Sequence, residues 1–102
     1  MAGYDNPGGS LICGRQTVTT GGTAEQLSTT ATSILEVAIT AETDNTGYIV
    51  VGDSTVVASL STRKGTPLAA GATISLGVDN LTDVYLDTTV NGDGVTYTAV
   101  VA

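Results

Sequence analysis

The sequence predicts an all-β protein: a single antiparallel β-sandwich, jelly-roll or immunoglobulin-like, of about seven or eight strands with an extended N-terminal arm. Three observations carry that prediction. Threonine is the commonest residue, 19 of 102, and Thr and Val are β-branched residues that suit a pleated surface. Turn signals built on the 13 glycines recur at short intervals and separate short apolar runs. Within several runs, apolar and polar residues alternate with a period of two.

The elements follow in order. Residues 1–14 are rich in Gly, Pro and Asn, with Leu11, Ile12 and Cys13 as their apolar patch, and read as a flexible or docking arm before a sandwich spanning 15–102. Arg15 to Thr20 is a β-branched run stopped by Gly21-Gly22, and Thr23 to Leu27 is a second short strand. From Ser33 to Ala41, Leu35, Val37 and Ile39 share one face and Glu36 and Thr40 the other. A helix competes there, and the β-branched content decides for strand. Tyr48-Ile49-Val50-Val51 reads as a strand covered on both faces, ended by Gly52-Asp53. Val56-Val57-Ala58 is a further short edge, and Pro67 places Ser59 to Ala70 in a loop or at a sheet edge. Ile74, Leu76 and Val78 alternate, as do Val84 and Leu86. Asn91-Gly92-Asp93-Gly94 signals a hairpin into the closing strand Val95 to Val101.

This pattern puts Val18, Leu35, Val37, Ile39, Ile49, Val51, Ile74, Leu76, Val78, Val84, Leu86 and Tyr97 in the core. Truncating Leu76 to Ala is then expected to cost about 2–5 kcal/mol. With neither Trp nor Phe, small aliphatic side chains must fill that core, so oligomerisation is an expected further source of stability.

Composition narrows the function. There is no histidine, hence no imidazole base and no His-ligated zinc, and one cysteine forms no intrachain disulfide. Three basic residues against ten acidic ones give a net charge of −7, so no nucleic-acid partner is expected. No apolar run approaches the ~20 residues of a membrane span, and the first residues carry no basic, apolar leader. Synthesis in a cytoplasm is expected. Asp79, Asp83, Asp87 and Asp93 are the best cation candidates, but the loop from Asp87 places Thr98 where a bidentate Glu belongs. They read as solvated turn acids. No enzyme, cofactor or metal is expected. Candidate contact residues are Leu11, Ile12 and Cys13 on the arm, the basic pair Arg63-Lys64, and Tyr85, which shares the non-core parity of Asp87.

The order of these elements resembles a family. Thr17 to Leu27 opens the domain, Thr46-Gly47-Tyr48-Ile49-Val50-Val51-Gly52 follows, and Pro67-Leu68-Ala69-Ala70-Gly71 precedes the Ile74-Leu76-Val78 strand. Asp79-Asn80-Leu81 leads to Val84-Tyr85-Leu86-Asp87, then Asn91-Gly92-Asp93-Gly94-Val95. Over residues 15 to 102 this is similar to small β-sandwich structural proteins of tailed bacteriophages. The resemblance implies a capsid decoration (cement) protein, a homotrimer on the outer capsid surface of the virion that binds the major capsid protein and stabilises the head. A tail, fibre or head-spike module binding a host surface is the alternative. The decoration reading needs the arm to attach the protein to the shell, and the alternative needs exposed aromatic loops; deletion of residues 2–13 is expected to weaken attachment and leave the sandwich folded.

Overall fold

Among the described residues, eight strands form where β-branched and alternating segments are bounded by turns. The computed structural model describes residues 10–102. The strands are β1 (Leu11–Thr17), β2 (Glu25–Gln26), β3 (Ile34–Ala41), β4 (Ile49–Gly52), β5 (Thr66–Leu68), β6 (Thr73–Leu76), β7 (Tyr85–Thr88) and β8 (Gly94–Val101). A 3-10 turn, Leu81–Asp83, leads into β7; the Asn80 side chain caps it by accepting from the Thr82 amide.

The strands make two four-stranded sheets, ordered β1-β8-β3-β6 and β2-β7-β4-β5. Pairing is nested: β1 with β8, β2 with β7, β3 with β6 and β4 with β5, all antiparallel. A chain paired in this way is one long hairpin folded over on itself, which makes the sandwich a jelly roll rather than an immunoglobulin-like fold. Side chains from the two inner faces, including Val37, Ile39, Ile49 and Leu86, are fully buried between the sheets.

Several expectations change. β1 starts at Leu11 and pairs with β8 from Leu11↔Val100 to Thr17↔Gly94, so the sandwich begins at residue 11 rather than 15. The rest of the expected arm, residues 1–9, lies outside the described residues. The Gly-rich composition concealed a strand whose register β8 supplies. Deletion of residues 2–13 would therefore remove ladder pairs, not only a tail.

Leu35 is 52% exposed, not core. Ile34 pairs with Val101 and Glu36 with Val100, so Leu35 is the extra residue of a β-bulge. The bulge shifts the parity, so that Ile34, Val37, Ile39 and Ala41 all point inward. Ile74, Leu76, Val78 and Tyr97 pack against the core but are only partly buried. The first two belong to β6, an edge strand with a neighbour on one side only. The expected cost of Leu76→Ala drops accordingly, to about 1–2 kcal/mol. Tyr97 lies against Gly14, its ladder partner; a Cβ there would meet the ring Cζ at 2.6 Å.

The Asn91–Gly94 turn does not close a hairpin, because β7 and β8 belong to different sheets. The chain turns at Gly92, φ +93°, and crosses the sandwich. Main-chain bonds from Val18 N to Asp93 O and from Gly92 N to Val18 O fix the crossing. Val56 to Ala58 is not a strand; only Val57 makes a bridge, to Lys64.

Candidate interaction surfaces

The two outer faces differ. On sheet β2-β7-β4-β5, Val50 points outward yet is fully buried, because Val56 and Ala58 from the β4–β5 loop lie over it with Ala24 and Tyr85 beside them. The continuous Ile49-Val50-Val51 run is the sequence's record of this double cover. Asp87 holds the cover down. Its carboxylate, 1% exposed, accepts from the Gly22 amide through Oδ1 and from the Ala58 amide through Oδ2, each at 2.8 Å. One side chain thus ties the β1–β2 and β4–β5 loops to β7.

Asp93 does the same at the sandwich end, accepting from Thr46 N at 3.2 Å and Gly47 N at 2.8 Å. Asp87 and Asp93 are therefore buried loop anchors, not solvated turn acids; Asp79 and Asp83 are exposed. Among the described residues, no three His, Cys, Asp or Glu side chains converge as metal ligands would. No described helix is long and apolar enough to cross a membrane.

The other outer face, on β1-β8-β3-β6, is open. Register places Cys13, Thr98, Ala38 and Ser75 in one row across it, and Arg15, Thr96, Thr40 and Thr73 in the next. Six of these eight residues are exposed, and Ala38 and Thr40 are half-buried. Thr40 and Thr73 hydroxyls bond to each other across the strands at 2.8 Å. The charges in these two rows reduce to Arg15, whose guanidinium is held by Glu42 through Nε and, at 3.1 Å, through Nη2. That pairing raises the Arg15 pKa further. These two rows are hydroxyl-rich and, apart from that ion pair, uncharged; the adjoining row, Leu11–Val100–Glu36, adds the exposed Glu36 carboxylate.

The expected contact residues are not gathered into one site. Leu11, 68% exposed, and Cys13 lie on the open face at its β1 edge, while Ile12 packs inward against the core. Arg63 and Lys64 belong to the β4–β5 loop of the other sheet. Arg63 donates from Nε to the Ala58 carbonyl at 3.1 Å, and its guanidinium stands 5.3 Å from the Tyr48 ring centroid, a cation–π distance. Much of Arg63's contact is thus internal, whereas Lys64 is exposed. Tyr85 is half-buried against the Val50 cluster.

A cleft of about 460 Å³, with no signal in the sequence, opens where the sheets part at β6. Ile74, Leu76 and Val78 line one wall and Val51 and Val84 contribute to the other, with Asp53, Lys64 and Asp83 among the polar lining. Alternation alone reads the same on an edge strand as in a closed core, so the period of two does not distinguish these residues from interior ones. At the cleft, Thr55 donates to Asp53 Oδ1 from its hydroxyl at 2.6 Å and its amide at 2.9 Å. Chiefly through the hydroxyl bond, Thr55 holds the Asp53 carboxyl below the usual aspartate range. A carboxylate lowered by folding contributes stability above its unfolded pKa and loses that contribution as pH falls through the folded value. By NMR titration, Asp53 should therefore titrate below an ordinary aspartate, and Thr55→Val should move it upward. An unmoved midpoint would show that the hydroxyl is not the cause.

Compared with known proteins, the chain matches no family model, no curated protein and no solved structure.

Proposed function

We propose that the protein is a virion structural protein: a capsid decoration protein that binds the major capsid protein on the outer head surface, as a homotrimer, and stabilises the shell. The observation that carries this reading is the open face of β1-β8-β3-β6. Its exposed Thr, Ser and Cys side chains are short and rigidly mounted, so they lose little rotamer freedom on contact. In a chain of net charge −7, its two central rows contain no carboxylate, which suits a protein lattice better than a phosphate backbone. The eight-stranded jelly roll and the resemblance to phage β-sandwich proteins agree with it. The work is done by buried area and shape, with no chemical step.

Cosedimentation with heads that lack the protein tests the proposal. The wild type should pellet with the heads. Thr98→Glu, on the face and away from the core, should weaken attachment about tenfold or more, equivalent to ~1.4 kcal/mol. Light scattering of the free protein should give about three times the 10.2 kDa chain mass. Failure to bind any head would overturn the reading. The second reading, a fibre or spike module on a host surface, is favoured by Tyr48, 46% exposed, and Leu60, 82% exposed. Binding to host cells that is lost on Leu60→Ser, with no binding to heads, would select it.

A further inference from the structure

Sheet β1-β8-β3-β6 has two free edges, and they differ from those of its partner sheet. In the partner sheet the edges are blunted: β2 has two residues, and β5 has three with Pro67 among them. β1, by contrast, offers seven residues and ends on exposed Leu11; β6 offers four and borders the apolar cleft. Among the described residues, no strand pairs the outer side of either. Free edges of this kind are templates for an added strand.

We infer that the occupant of the β6 edge and its cleft is β1 of a second copy of this chain, added head to tail. Direction supports it first. Four strands in antiparallel order leave β1 and β6 running oppositely, so a rotation about an axis along the strands brings β6 of one copy against β1 of the next as an antiparallel pair. Repetition of that step is a heterologous contact that extends this sheet from copy to copy through β6 and β1.

Apolar matching supports it second. The row Ile12–Ala99–Val37–Leu76 crosses the sheet on its core side, so Ile12 and Leu76 stand at the same level on opposite edges. Each is only partly buried, because each lacks a neighbour on its free side. Head-to-tail addition places Ile12 of one copy beside Leu76 of the next and covers both. Charge supports it third. None of the ten acidic residues lies on β1 or β6, and β1 carries Arg15. Copies of net charge −7 meet with least repulsion along these strips. A twofold β1–β1 contact would also satisfy one edge, but it would leave β6 and the cleft open. The copy number of three rests on the proposed function; the β6–β1 pairing does not.

The register makes the test direct. The row Cys13–Thr98–Ala38–Ser75 continues across the contact, so Cys13 of one copy falls opposite Ser75 of the next. Opposed residues of antiparallel strands are about 4.5–5.5 Å apart at Cα, within disulfide reach. Full-length wild type and Ser75→Cys would be oxidised with diamide, free and on heads, and run on non-reducing gels. Both positions are on the exposed face, and circular dichroism checks that each variant is folded. Covalent oligomers from Ser75→Cys, with the wild type left uncrosslinked, are the expected result. Linking through Thr73→Cys in place of Ser75→Cys would also support the pairing, slipped by two residues. Cys13-linked dimers of the wild type would overturn it in favour of the twofold contact. A folded protein that links through neither introduced thiol, free or on heads, would overturn it outright. Linked oligomers that bind no head would remove the virion reading and leave this pairing standing. Head binding without any link would do the reverse.

Discussion

Replacing Asp87 by Ala should destabilise the fold by about 2–4 kcal/mol in urea or thermal unfolding. The carboxylate is the bond partner of the Gly22 and Ala58 amides. Without it, the Ala58 amide is stranded under its loop, since Ala58 itself is fully buried. A buried donor left unpaired costs more than the bond returned when formed. Against a typical total of about 5–15 kcal/mol, this is a large fraction for one buried side chain. Asp87→Asn keeps one acceptor but turns an N–H toward an N–H, so it should recover only part of the loss. Hydrogen exchange at Ala58 should accelerate in both variants. A change under about 0.5 kcal/mol would show that the two loops are held by something else.

Leu86→Ala should cost about 2–5 kcal/mol, while Leu35→Ala should stay within about 0.5 kcal/mol of wild type. Both residues are leucines on strands of alternating pattern. Leu86 is fully buried between the sheets, and truncation leaves a cavity that its neighbours cannot close. Leu35 stands out of the ladder at the bulge between Ile34 and Glu36. Equal costs for the two would mean that the alternation from Leu35 to Ile39 runs unbroken and the bulge is absent.

The contrast between these leucines shows what was legible. Val37, Ile39, Val84 and Leu86 were readable as core because a period of two places them on one face, and burial of that face is what holds the strand. Leu35 obeys the same period on paper. A bulge adds one residue without any compositional signature, so only the pairing of Glu36 with Val100 reveals it. Leu27 and Leu81, both 1% exposed, were missed for the converse reason: they enter the core from beside a two-residue strand and from a 3-10 turn, where no period applies. Of the candidate contact residues, Leu11 and Cys13 are displayed at a sheet edge, while Arg63 and Tyr85 are largely engaged within the chain. The open Thr-rich face was present in the sequence as composition only. Its rows exist because β1, β8, β3 and β6 come from distant parts of the chain.

By itself, then, the sequence determined the all-β class, the approximate strand segments, the double burial of Ile49-Val50-Val51 and the place of Pro67 at an edge. These depend on side-chain periodicity, β-branching and the missing N–H of proline, all of which act within a few residues. The tertiary structure alone decided the jelly-roll pairing of β1 with β8 and β2 with β7, the crossing at Asn91–Gly94, and the roles of Asp87 and Asp93 as anchors. Asp87 meets Gly22 across 65 residues and Ala58 across 29. Separations of that size are set by which sheet each strand joins, and no local pattern encodes that choice. An aspartate before a Thr-Thr turn reads as solvated until two loops from elsewhere in the chain close over it.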